Sequence, residues 1–246
     1  MRRSGLVAAW AALALVVFGA GAQDAARRSS RDGAGVEVLA VTGKPFSATS
    51  VTEWVRDLED GDKGALHLRA KVARDSKGRV YRERYAALPS ANDNKLVPNE
   101  IHIMDPVSRS QTFCSTRAME CVVTDYQPKT SVEAPKTGTE DNGVRTFKRE
   151  LIGSQMIEGL RVSGTRETTT LKTAILGNGT PFVSVREFWY SDDLMTNLSV
   201  TRIDPREGRQ VIRLSQIVQA EPDAHLFDLP VGYKVRDVRR KDAATQ

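Results

Sequence analysis

Three histidines and two cysteines are the residues of this 246-residue chain best suited to acid–base, nucleophilic or metal chemistry. Their spacing works against each option. His67, His102 and His225 are scattered, and no H-E-x-x-H pair is present. Cys114 and Cys121 flank STRAME instead of forming a redox or zinc C-x-x-C, and no histidine stands close enough in sequence to complete a ligand set. The chain has no G-x-S-x-G elbow, no phosphate-binding Walker loop and no dinucleotide fingerprint. The 31 Asp and Glu residues leave a carboxylate pair open, although most of them fall among turn residues. No cofactor and no metal centre is implied. In an oxidising compartment the two cysteines are expected to pair across a hairpin, and closing so small a ring contributes about 2.5 kcal/mol in the chain-entropy account.

Aromatic and cationic residues offer binding chemistry instead. Trp54, Trp189 and Tyr190 fall in strand-like runs, where their rings could line an apolar groove for an acyl chain or peptide, although core packing is the commoner fate. Arg166, Arg186 and Arg213 are expected either to neighbour one another in the second half and hold an anionic head group, or to pair with Glu167 or Glu187. The candidate ligand-binding set is Trp54, Arg166, Trp189 and Tyr190.

The elements that must position these residues are strands. Residues 46–58 are rich in Thr, Val and aromatic types. Leu66, Leu68, Ala70 and Val72 then alternate with polar residues, Asp75-Ser76-Lys77-Gly78 turns the chain, and 79–85 returns as the antiparallel partner. His67 falls on the wet face of that hairpin. Short strands follow at 101–104 and in SQTF and VVTDY, and residues 127–144, with two prolines and clustered Gly, Thr and acids, predict a mobile loop dividing one sheet into halves. The second half restarts at Phe147 with a strand through LIGSQMIEGLRVSGTRETTTL, in which Gly164 allows a bend. Turns at Gly177-Asn178-Gly179, Ser191-Asp192-Asp193 and 204–208 then separate further strands. His225, in EPDAHLF, is expected on a short exposed helical turn begun by Pro222 and Asp223. This grammar predicts a mainly β fold: a single curved antiparallel meander, half-barrel-like, with few short helices.

The ends of the chain point to export. Arg2 and Arg3 precede an apolar run and Ala20-Gly21-Ala22, the pattern of a signal peptide over residues 1–22. Its removal leaves 34 Lys and Arg against 31 acids, a mildly basic chain. That charge gathers at the ends, as in solvated tails. Peripheral contact with an anionic membrane surface stays open, and nucleic acid is disfavoured as a partner. The remaining organisation reads as a flexible leader at 23–44, one β domain at 45–235 and a basic tail at 236–246. Periplasmic or extracellular placement follows.

LIGSQMIEGLRVSGTRETTTL, EFWYSDDL, DPREG and EPDAHLFDLPVGYKV resemble segments of a group of secreted bacterial β-sheet proteins without assigned activity. More distantly, a signal peptide followed by a meander and a terminal F-x-x-P-x-x-Y is similar to the lipoprotein-carrier superfamily typified by LolA and RseB. That resemblance implies a curved half-barrel holding lipid chains or lipoprotein segments on its concave face. The sequence departs from it in lacking clear amphipathic helices for a lid. The expected function is therefore non-enzymatic: an envelope protein binding an amphipathic ligand or a protein partner on a curved sheet. The alternatives are a secreted hydrolase, or a sensory or scaffold protein whose 127–144 loop engages a partner.

Overall fold

The computed structural model describes residues 36–57, 63–85, 98–128, 137–172 and 180–240. The signal peptide, the first part of the leader, the Gly177-Asn178-Gly179 turn and the last six residues lie outside them. Two meanders make up the fold. The first contains β1 (Phe46–Asp57), β2 (Lys63–Arg74), β3 (Val80–Tyr85), β4 (Pro98–Asp105), β5 (Ser110–Ser115) and β6 (Glu120–Asp125). The second contains β7 (Gly138–Asp141), β8 (Arg145–Ile157), β9 (Leu160–Leu171), β10 (Phe182–Ser191), β11 (Thr196–Asp204) and β12 (Gly208–Val218). Antiparallel pairing of β1 with β12 fuses them into one 13-stranded sheet, and β13 (Lys234–Asp237) adds to β6 in parallel.

Chain length requires this sheet to bend. The strands β6 and β7 follow one another in sequence yet stand near opposite edges. Eleven strand spacings would separate them by about 53 Å in a flat sheet. The residues between Asp125 and Gly138 reach only about 45 Å when fully extended. A direct contact shows the sense of the bend. Arg74, at the end of β2, is fully buried and donates to the backbone oxygen of Leu194 in the β10–β11 turn. Two strands, β1 and β12, lie between β2 and β11 in the sheet.

Register assigns the faces, because cross-strand partners share one. Phe46, Ala48, Ser50 and Thr52 of β1 are buried while the residues between them are half-buried. Their partners include Arg74 and Val72 of β2 and Ile212 and Leu214 of β12. This side is the inner face. The end of the stretch read as leader packs against it: Val36 and Val38 are 1% exposed and join one cluster with Phe46, Val72, Leu194 and Leu198. Segment 36–44 has no strand partner, so side chains satisfy its carbonyls. Arg74 donates to Leu39 and Lys44 at 3.0 and 2.9 Å, Arg82 to Val36 at 2.8 Å and Thr196 to Glu37 at 3.2 Å.

The C-terminal segment straps the outer face. Asp223 accepts from the His225 N–H and caps a 3-10 turn, Ala224–Phe227, which places Leu226 and Phe227 against Ala73, Tyr81 and Ile103. The Arg79 guanidinium lies 4.4 Å from the Phe227 ring centroid, and Glu221 accepts from Ser76. Both straps therefore meet the β2–β3 turn, where Asp75 holds the Arg79 backbone and guanidinium at 2.7 and 2.6 Å.

Three local readings change. The run through LIGSQMIEGLRVSGTRETTTL is a hairpin, turned at Glu158 and Gly159 with φ of 50° and 76°. Its apolar alternation hid the turn because Glu at a left-handed position is not a usual signal. Within 127–144, residues Gly138–Asp141 form the edge strand β7, and β13, which pairs with β6, runs two residues into the stretch read as basic tail, where Arg239 lies on Asp237 and Arg240 on Asp125. Gly164 sits opposite the bulge of β8, and its flat surface carries the Trp189 indole: an added Cβ would lie 2.6 Å from that ring. The tip of this hairpin carries Leu160 and Val162 into the core cluster. Cys114 and Cys121 face each other on β5 and β6 and are joined, as their spacing implied.

Replacing Arg74 with Met should orphan three carbonyls and cost about 3–5 kcal/mol in urea unfolding, with Arg74→Lys intermediate because an ammonium cannot reproduce the fork. Gly164→Ala should cost about 1–3 kcal/mol by overpacking and shift the Trp189 emission to longer wavelength. Serine at both cysteines should cost about 2.5 kcal/mol in the same assay.

Candidate ligand-binding face

The hairpin registers align one row of side chains across seven strands of the inner face. In spatial order the row is Leu66, Trp54, Gln210, Arg202, Arg186, Glu167 and Arg149, each the direct cross-strand partner of the next. The adjacent row runs through Leu68, Thr52, Ile212, Val200, Phe188, Thr165 and Leu151. Toward the β2–β3 turn this face is closed by segment 36–44. Toward the other end it opens: Leu66 is 36% exposed, and Leu68, Trp54, Phe182 and Phe188 are half-buried.

Guanidiniums cover the aromatic rings of this open half. Arg56 lies 5.1 Å from the Trp54 centroid, Arg186 4.9 Å from Phe188 and Arg206 4.4 Å from Phe182. Such stacking leaves the edges of the cation able to bond elsewhere. Trp54 donates its indole N–H to the Glu207 carbonyl at 2.6 Å, which fixes the ring against the β11–β12 turn. Glu167 accepts from Arg149 at 2.7 Å and faces Arg186 at 3.9 Å. Burial lowers the pKa of Arg202, and the Arg186 charge lowers it further against the pull of Glu207.

The outer face is organised differently. Arg166 binds Glu187 at 2.7 Å and reaches Glu150 at 3.6 Å, while Glu150 also meets Lys148. The Glu187 hydrogen bond, more than any other contact, raises the Arg166 pKa. Arg213 pairs with Glu53 at 2.8 Å. Beside them a half-open groove of about 500 Å³ is lined by Val51, Ile157, Trp189, Ser199 and Arg213, among others. Its lip is the β8–β9 tip, where Glu158 accepts from the Gln216 N–H at 2.9 Å.

The residues singled out in the sequence are thus divided between faces. Trp54 belongs to the inner row and Arg166 to the outer face, Trp189 has outer-face register with Gly164 and packs partly buried against the core cluster, and Tyr190 lies at the β10–β11 bulge, 36% exposed. Burial chiefly, then the Asp192 carboxylate, push the Tyr190 phenol up against the pull of Arg74. Arg186 does not neighbour Arg166 and Arg213, since strand parity points it inward and them outward; the alternative of Glu pairing holds for Arg166 and Arg186. His67 is exposed on the outer face, His102 stacks on Phe113 at 3.9 Å, and His225 bonds Asp228 at 2.9 Å. Arg149, Arg202, Phe182 and Phe188 escaped the sequence reading. Their signal was the register imposed by the four antiparallel pairings from β8 to β12, which a strand-by-strand reading does not combine.

No family model matches this chain, and no curated protein matches its sequence. Among solved structures it is similar to MucB, at 12% identity and a TM-score of 0.40, over 89% of this chain and 66% of that one. It therefore spans about two thirds of MucB. A LolA superfamily protein from Nitrosomonas europaea matches at 9% identity and a TM-score of 0.28, over 77% of this chain and 92% of its own. LprF from Mycobacterium bovis matches at 14% identity and a TM-score of 0.29, over 83% and 97% respectively.

Proposed function

We propose that this is an exported, non-enzymatic envelope protein that holds an amphipathic ligand, a lipid or a lipoprotein segment, on the inner face of its curved sheet. One observation carries the reading. The open half of that face sets Leu66, Leu68, Trp54, Phe182 and Phe188 beside a line of guanidiniums, so apolar and anionic parts of one molecule would find complementary surface along the same strands. The sheet is anchored at the other end by segment 36–44, which leaves the open half available without unfolding the core. Export is supported by the leader pattern of residues 1–22 and by the Cys114–Cys121 disulfide, a bond suited to an oxidising compartment. A binding role is favoured over hydrolysis by the placement of the histidines, which stand in different parts of the molecule: His67 exposed on the outer face, His102 stacked on Phe113 and His225 bonded to Asp228.

Native mass spectrometry of protein purified from its own compartment, followed by solvent extraction, should reveal a co-purified amphiphile that a fluorescent fatty acid displaces. Repeated absence of any bound amphiphile, together with no binding of the fluorescent probe, would count against the proposal.

A further inference from the structure

We infer that the uncovered edge of β8 receives an extended peptide segment as an added strand, so that an acylated polypeptide is held by its backbone as well as by its lipid. This rests on the reading of the inner face as the ligand face and adds the part of the ligand beyond the acyl chain. The strand β7 covers β8 only over Thr146–Arg149. Among the described residues no strand pairs with Glu150–Ile157 on that side, while β9 pairs with β8 on the other. Two turns fix which backbone groups face outward. Asn142 donates to the Arg145 carbonyl, so Arg145, Phe147 and Arg149 turn toward β7, and Leu151 follows on the same side. Beyond the bulge between Leu151 and Gly153, the turn at Glu158 and Gly159 makes Ile157 and Leu160 a hydrogen-bonded pair, which turns Ser154 and Met156 away from β9. The N–H and C=O groups of Leu151, Ser154 and Met156 therefore line an open edge.

Elsewhere the sheet blunts its edges with charge. The strand β13 covers β6 and is itself short, with Lys234, Arg236 and Asp237 among its four residues, and β7 carries Glu140 and Asp141. The run Leu151–Ile157 is bent by its bulge but holds no charged residue and no proline, and Leu151 and Met156 are 72% and 61% exposed. Such an edge is a template for strand addition. Its register points to the occupant. Leu151 ends a row of the inner face, and Ser154 and Met156 oppose Ser163 and Arg161, which share the face of Thr165. An added strand thus continues the inner-face rows past β8 and brings its attached acyl chain onto the same surface. A second copy of this chain is a poorer fit: it offers only its own short edge, well under the roughly 1,200 Å² that stable interfaces bury.

Isothermal titration of the full mature chain with octanoyl-Ser-Thr-Val-Thr-Val-Ser-Thr amide, with the same peptide N-methylated at every amide, and with octyl maltoside below its micelle concentration tests this. The parent should bind the octanoyl peptide at least tenfold more tightly than its N-methylated twin, which keeps the acyl chain but has lost its backbone donors. Ser154→Pro, which removes one outward N–H, should lower peptide affinity toward that of the twin, Ser154→Ala should keep it, and octyl maltoside should bind all three proteins alike. Amide exchange at Leu151, Ser154 and Met156 should be fast in the free protein and slowed by the peptide. Equal affinity for the peptide and its twin, or amides already protected in the free protein, would overturn the strand site while leaving an amphiphile-binding face intact. A dimer in sedimentation velocity that Ser154→Pro abolishes would replace the peptide with a second copy. Binding of neither peptide nor octyl maltoside would remove the site and the ligand face together.

Discussion

A buried guanidinium holds this fold in its shape. Arg74 has no exposed surface, stacks 5.0 Å from the Phe46 ring centroid and donates to the backbone oxygens of Leu39, Lys44 and Leu194. Three segments remote from one another in the chain thus meet on one side chain. Burial drives its pKa down to about 10, so at neutral pH the group remains charged. Carbonyl dipoles and an aromatic face compensate the charge in place of a carboxylate, and the adjacent Asp75 is occupied with Arg79. Loss of any one carbonyl partner would leave a buried donor unsatisfied, which makes the three contacts mutually dependent.

That dependence links curvature to surface. By tying the β10–β11 turn to the end of β2, Arg74 curls the joined meanders and gives the sheet a covered and an open half. Segment 36–44 fills the covered half of the inner face, while segment 219–233 crosses the outer face to deliver β13 to β6. Both straps are fixed at the β2–β3 turn, through Gly43 on Ser76 on one side and Glu221 on Ser76 on the other. The open half is what remains: a broad surface of half-buried rings, each with a guanidinium near its face. An amphipathic occupant is the chemistry that such a surface suits.

Much of this was legible in the sequence where local rules act alone. Alternation at Leu66, Leu68, Ala70 and Val72, and the turn residues Asp75 and Gly78, located the first hairpin, and the same grammar placed β10 to β12 and the cysteine pair. What escaped depends on distant partners. Val36 and Val38 lie in a stretch with the composition of a linker and are held in place where Arg74, Arg82 and Thr196 donate to the carbonyls of Leu39, Val36 and Glu37. The short strands β7 and β13 carry few β-forming residues and take their conformation from β8 and β6. The arginine row was hidden for a related reason: Arg149, Arg186 and Arg202 lie on three separate strands, and only the combined registers put them in line.

The two faces of one strand offer the most direct test of the central claim. On β2, Leu66 and Leu68 point inward and His67 and Arg69 outward, in immediate succession. A photoreactive benzoyl-phenylalanine placed at each of these four positions in turn, in protein carrying its co-purified amphiphile, reports which face holds the ligand. Cross-linking that alternates, strong from 66 and 68 and absent from 67 and 69, is the predicted result; labelling that is uniform, or strongest from 67 and 69, would contradict the inner-face account.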